Sequence, residues 1–133
     1  MDGRIVTPSG ENIKSIAILS INYELKAWKK YIYKDNTHNT YINSFIELNN
    51  NRPISCSDDK TFKIWSIKEN DLTKINTLSE HKGRMNKIVS LNNNKFASAS
   101  SDKTIMIWNS ENPYNLIKTL TNRDKVGNFL CIK

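Results

Sequence analysis

With 133 residues, 38% of them hydrophobic and 25% charged, the chain has the size and mix of one domain with an ordinary core, which excludes a membrane-embedded bundle and a disordered tail. Its net charge of +7 and pI of 9.4 would attract nucleic acid, anionic lipid or acidic protein. The basic residues are scattered, however, and the abundant Lys, Asn and Ile share codons made mainly of A and T, so gene composition accounts for the charge without a partner.

Residues 1–10 show no apolar run behind a basic start, and no stretch approaches the roughly 18 continuous apolar residues of a spanning helix. Residence in the cytoplasm or nucleus is the default expectation. Residues 17–28 (A-I-L-S-I-N-Y-E-L-K-A-W) can be laid on residues 54–65, with Asn22 where Asp59 stands, which predicts a degraded version of the unit that follows. The run at 29–34 (K-K-Y-I-Y-K) interleaves aromatics with lysines, as a surface that stacks bases does. An amphipathic edge strand with solvated lysines is the plainer account, since such lysines discourage strand-to-strand aggregation.

Residues 41–48 read as a strand, followed by an Asn-rich turn suited to positive φ. Residues 54–57 form a second strand. A polar turn through Asp59 and Lys60 leads to a third at 61–67, rich in β-branched and aromatic residues, and a fourth is expected at 72–78. The pattern then recurs 43 residues on, with strands expected at 84–91, 96–100, 104–108 and 115–120. Without a gap, 13 of the 34 positions from 38 to 71 are identical to their partners at 81 to 114. Four strands per period of about 40 to 45 residues is the mark of a propeller blade rather than of a helical repeat. Residues 129–132 resemble the start of another first strand. The expected organisation is an incomplete first blade at 1–37, repeats at 38–80 and 81–121, and the start of a further blade or a tail at 122–133.

The matching runs S-C-S-D-D-K-T-F-K-I-W and S-A-S-S-D-K-T-I-M-I-W make the chain resemble the WD-repeat β-propeller family. The resemblance implies an all-β fold, a partial (open) β-propeller of consecutive four-stranded antiparallel blades. It also implies a structural hydrogen-bond network in each repeat: His38, Ser55, Asp59 and Trp65, then His81, Ser98, Asp102 and Trp108. Buried imidazole and indole N–H groups need partners, and the carboxylate fixes the imidazole's tautomer. Two departures are visible: the family's Gly-His is Thr37-His38 and Glu80-His81, and its Trp-Asp is Trp65-Ser66 and Trp108-Asn109.

Ser, His and Asp in one unit also invite a hydrolase reading. Against it, the set occurs twice, travels with a Trp and has no Gly-rich oxyanion loop, so no enzyme and no cofactor are expected. Metal binding by His38 or His81 lacks a second ligand nearby in sequence. Cys56 and Cys131 are expected to be buried free thiols. Trp65 and Trp108 are read as core rather than as stacking platforms.

The resemblance therefore implies a scaffold or adaptor that binds proteins or peptides. The expected contact residues are Tyr41 and Arg84, three after each His, and Asp58 and Ser101, just before each network Asp. Binding of RNA or DNA through the basic surface is the alternative, distinguished by a steep salt dependence. Because propellers need about four to eight blades, three units leave sheet faces open. A fragment of a longer propeller is the first expectation and self-association the second; a partner that completes the ring is the third.

Overall fold

Short apolar runs punctuated by Asn, Asp, Gly and Lys have the period of strands, and strands are what form. A computed structural model describes residues 3–9, 14–22, 27–48, 52–68 and 71–121, without a helix among them. The strands are β1 (Gly3–Ser9), β2 (Ser15–Asn22), β3 (Ala27–Lys34), β4 (Ile42–Leu48), β5 (Arg52–Ser57), β6 (Phe62–Lys68), β7 (Asp71–Leu78), β8 (Met85–Leu91), β9 (Lys95–Ser100), β10 (Thr104–Asn109) and β11 (Leu116–Thr121). They make three antiparallel meanders, β1-β2-β3, β4-β5-β6-β7 and β8-β9-β10-β11. The predicted strands of both repeats differ from the observed ones by one or two residues at their ends.

The sheets stack through two apolar layers. Between the first and second sheets, Ile16, Ile18 and Ile32 meet Ile42, Trp65, Ile67 and Leu72. Between the second and third, Leu48, Ile54, Cys56, Phe62 and Ile64 meet Met85, Ile88, Phe96, Trp108 and Tyr114. Here Phe62 stands edge-on to both aromatics of the next sheet, its ring 5.4 Å from Phe96 and 4.8 Å from Trp108. Edge-to-face pairs add about 0.5–1.5 kcal/mol beyond the area they bury. The second sheet thus gives one face to its predecessor and the other to its successor, which is why β5 is buried along almost its whole length.

The third sheet has no successor among the described residues. Ile105 and Ile107, which occupy the places of Phe62 and Ile64, are only half-buried, and Leu91 is 38% exposed where Leu48 is 7%. The fold is a propeller arc left open at that face.

The first sheet corrects the alignment of residues 17–28. Every outer hairpin carries a bulge at one place: between Ile18 and Leu19, Ile64 and Trp65, and Ile107 and Trp108. Leu19 therefore stands where the two tryptophans stand, and Trp28 lies in the outer strand β3, paired with Ile21. By the same register Thr7 takes the position of Ser55 and Ser98. Inward-facing Ile16 and Ile18, both fully buried, set this frame. Laying Trp28 on Trp65 is nine residues out of this frame and makes β2 the second strand of its blade instead of the third, which a single indole match cannot outweigh. The first sheet consists of the second, third and outer strands of a blade. The run at 29–34 is its edge strand, with Tyr33 and Lys34 exposed and Ile32 buried.

Candidate functional site

The four side chains expected to meet in each repeat do meet. His38 Nδ1 lies 2.9 Å from Asp59 Oδ2, His38 Nε2 lies 2.7 Å from Ser55 Oγ, and Trp65 Nε1 donates to the same Oγ at 2.9 Å. In the second repeat His81 lies 2.9 Å from Asp102 and 2.8 Å from Ser98, and Trp108 donates to Ser98 at 2.9 Å. The donors fix the proton order. An ionised carboxylate only accepts, so Nδ1–H donates to it; Nε2 then accepts from the Ser hydroxyl, which accepts from the indole. This runs from the third strand through the second strand and the leading loop to the tight turn, tying all three together.

Electrostatics agree with that order. Burial alone would raise the Asp59 carboxyl, but the His38 N–H, the Thr61 hydroxyl and the Asn39 amide outweigh it and hold it well below the usual carboxylate range. Asp102 is held down in the same way, by Thr104, His81 and the Lys82 amide against its burial. Burial pushes the His38 imidazole below its ordinary value, although the hydrogen bond and charge of Asp59 pull the other way.

Several members of the cluster escaped the residue-by-residue reading. Thr61 Oγ1 and Thr104 Oγ1 each donate to their Asp at 2.6 Å. Ser57 and Ser100 accept the Asp59 and Asp102 amides, both at 3.1 Å. Their signal was present, since all four lie at positions identical between the repeats. Thr37, in the place of the expected Gly, is anchored by its amide and hydroxyl to the Lys14 carbonyl, so this departure joins the first sheet to the second.

The proposed contact residues sit beside these networks at one end of the sheets, here called the leading end. The Asp58 amide donates to the Tyr41 carbonyl and the Ser101 amide to the Arg84 carbonyl, so each repeat presents its pair side by side. Tyr41 is 54% exposed, and Arg84 and Ser101 are exposed as well. Asp58 is less free: Asn43 donates to it at 2.6 Å, and Arg84 of the next sheet approaches to 3.8 Å. Gly83 allows the leading loop to touch the turn, since a Cβ there would lie 2.6 Å from Ser101 Oγ and 2.7 Å from the Asp102 nitrogen.

A family model described as "WD domain, G-beta repeat" matches residues 29–66 and 72–109, together more than half of the chain. The chain belongs to the WD-repeat family. Each matched WD segment opens on an outer strand, β3 or β7, and runs to the residue after the network Trp, so sequence repeat and sheet are offset by one strand. Among solved structures, the WD40 β-propeller domain of Doa1 is similar, with a TM-score of 0.65 and 22% identity over 91% of this chain. The match spans 37% of that domain, so this WD chain corresponds in length to about a third of such a propeller. Comparison with curated proteins finds no match.

WD propellers are generally non-catalytic and typically bind proteins. The Ser-His-Asp sets here have a structural explanation: Ser55 and Ser98 are sealed inside the sheets at 0% and 1% exposure, and each hydroxyl is held by both an indole and an imidazole. A nucleophile must reach solvent-borne substrate. The Cys56 thiol is free and buried, and burial pushes it up to about 12, which keeps it an inert thiol. Cys131 lies outside the described residues. No cluster of potential metal ligands occurs among the described residues.

Proposed function

We propose that this chain is a non-catalytic part of a WD propeller that binds proteins or peptides at its leading end, with Tyr41 and Arg84 as the main anchors and Asp58 and Ser101 beside them. The observation that supports this most is the contrast at that end. Two buried networks hold the leading loops against the tight turns, while Tyr41 and Arg84 stand exposed on the loops so held. Anchors on a rigid frame lose little conformational freedom on binding, and Tyr and Arg are the residue types that carry interface energy.

The test is a selection from a displayed random-peptide library on the whole chain, followed by affinity measurement on the Y41A/R84A variant. The reading predicts that selected peptides bind this variant at least about tenfold more weakly, a loss of about 1.4 kcal/mol, while its melting temperature is unchanged. Equal affinity for wild type and variant would place recognition elsewhere.

A further inference from the structure

The three sheets differ by one strand, and the common bulge shows which. The second and third have four strands each, in chain order from the inner edge outward. In the first, β1, β2 and β3 take the second, third and outer places, because Ile18 stands where Ile64 and Ile107 stand. Among the described residues no strand fills the inner place beside β1. An unpaired strand edge is a template for another segment of chain.

The sequence also carries the apolar spacing of one more inner strand. β4 reads Ile42-x-x-Phe45-Ile46-x-Leu48 and β8 reads Met85-x-x-Ile88-Val89-x-Leu91; residues 126–132 repeat the spacing with Val126, Phe129, Leu130 and Ile132. The interval fits as well. Met85 follows Leu78 by seven residues, and Val126 follows Leu120, which holds the place of Leu78, by six.

The path of the chain says where such a strand goes. β3 leads into β4 and β7 into β8, so each outer strand is followed by the inner strand of the sheet stacked next. After β11 the same step arrives at the open face of the third sheet, where Ile105 and Ile107 are half-buried and Leu91 is exposed. The sheet that fits there lacks an inner strand and offers an apolar face. The first sheet of a second copy meets both conditions. Its Leu19, at the place from which Trp65 and Trp108 pack on the preceding sheet, is half-buried.

We propose that this chain associates head to tail with a second copy, residues 126–132 of each copy adding the inner strand to the first sheet of the other. Two copies then hold six four-stranded sheets, within the about four to eight that close a propeller. A head-to-tail contact that closes leaves no copy with an open face. Main-chain hydrogen bonds to β1 supply the affinity, and the alternate apolar side chains fix the register. Partner binding at the leading end neither requires nor excludes this association.

The register supplies the test. Phe45 pairs with Ser55 and Ile88 with Ser98, and Thr7 holds the place of those serines. Phe129 therefore falls opposite Thr7 of the other copy, and Cys131 opposite Ile5. Under mild oxidation of the whole chain, Ile5→Cys should give a covalent dimer through the native Cys131. Its yield on a non-reducing gel should be at least about tenfold that of Val6→Cys, one place out of register, and I5C/C131S should give none. Sedimentation velocity of the unmodified chain should show twice the chain mass, and F129D should raise the dissociation constant of that dimer at least about tenfold. Melting curves check folding; if I5C melts early, the masses of the wild-type chain and of F129D decide. A chain that stays monomeric at every concentration, equal cross-linking by V6C, I5C dimers that survive C131S, or an F129D dimer as tight as the wild type would overturn the proposal.

Discussion

Ser98→Ala isolates the hydroxyl on which the second network turns. That hydroxyl accepts from Trp108 Nε1 at 2.9 Å and lies 2.8 Å from His81 Nε2, in a residue 1% exposed beside a fully buried Trp108. Removing it creates almost no void but strands a buried indole donor and a buried imidazole acceptor. Each stranded group costs roughly 1–3 kcal/mol, so the variant should lose about 2–6 kcal/mol. Folded domains hold only about 5–15 kcal/mol in all, so the loss should appear as a large fall in the denaturant midpoint, read by tryptophan fluorescence with the slope unchanged. Ser101→Ala, three residues on and exposed, is the control and should stay within about 0.5 kcal/mol of wild type. If Ser98→Ala unfolds with the control, the hydroxyl is not a link and the network argument is refuted.

Three further outcomes are expected. Gly83→Ala forces a methyl against Ser101 Oγ and the Asp102 nitrogen, at 2.6 and 2.7 Å, and should cost about 1–3 kcal/mol in denaturant titration; a neutral result would deny the tight loop-to-turn contact. Phe62→Ala removes the ring that stands edge-on to Phe96 and Trp108, so equilibrium unfolding should show a loss of roughly 3–5 kcal/mol, and a loss below about 1 kcal/mol would mean that the second and third sheets do not pack through it. Stability should also fall as pH drops from 7.5 to 5.5. Because burial holds the folded His38 below its unfolded value near 6.5, the unfolded state takes up that proton at higher pH than the folded state does, which weakens folding by at most about 1.4 kcal/mol per pH unit. The depressed Asp59 and Asp102 carboxyls add stability that is present above about pH 3.9 and is lost as pH falls towards their folded values. A melting temperature equal or higher at pH 5.5 would contradict the His38 assignment.

The second and third sheets were legible because one signal appeared twice. His, Ser, Asp and Trp recur at fixed intervals, and since a strand alternates faces every residue, those intervals also set which side chains meet. Thr61, Thr104, Ser57 and Ser100 lay in the same identical positions, but short hydroxyl residues are common in turns and carry little signal alone. The first sheet was misaligned because it has no His and carries Leu19 at the network Trp position, so that Trp28, in the outer strand, offered a false match. The better guide was the weaker pattern Lys14-Ser15 against Lys103-Thr104, each followed by two isoleucines one residue apart. Nor does any local sequence pattern show that Arg84 leans across to Asp58, because that approach depends on how two sheets splay.

The account rests on the direction of the protons through the two networks, and nitrogen-15 NMR of the histidine side chains reads it directly. At pH 7.5 His38 and His81 should each carry the proton on Nδ1, with that N–H exchanging slowly with water because Asp59 or Asp102 accepts it inside the fold. Protons on Nε2 instead, or ring signals averaged like those of an exposed histidine, would contradict the account.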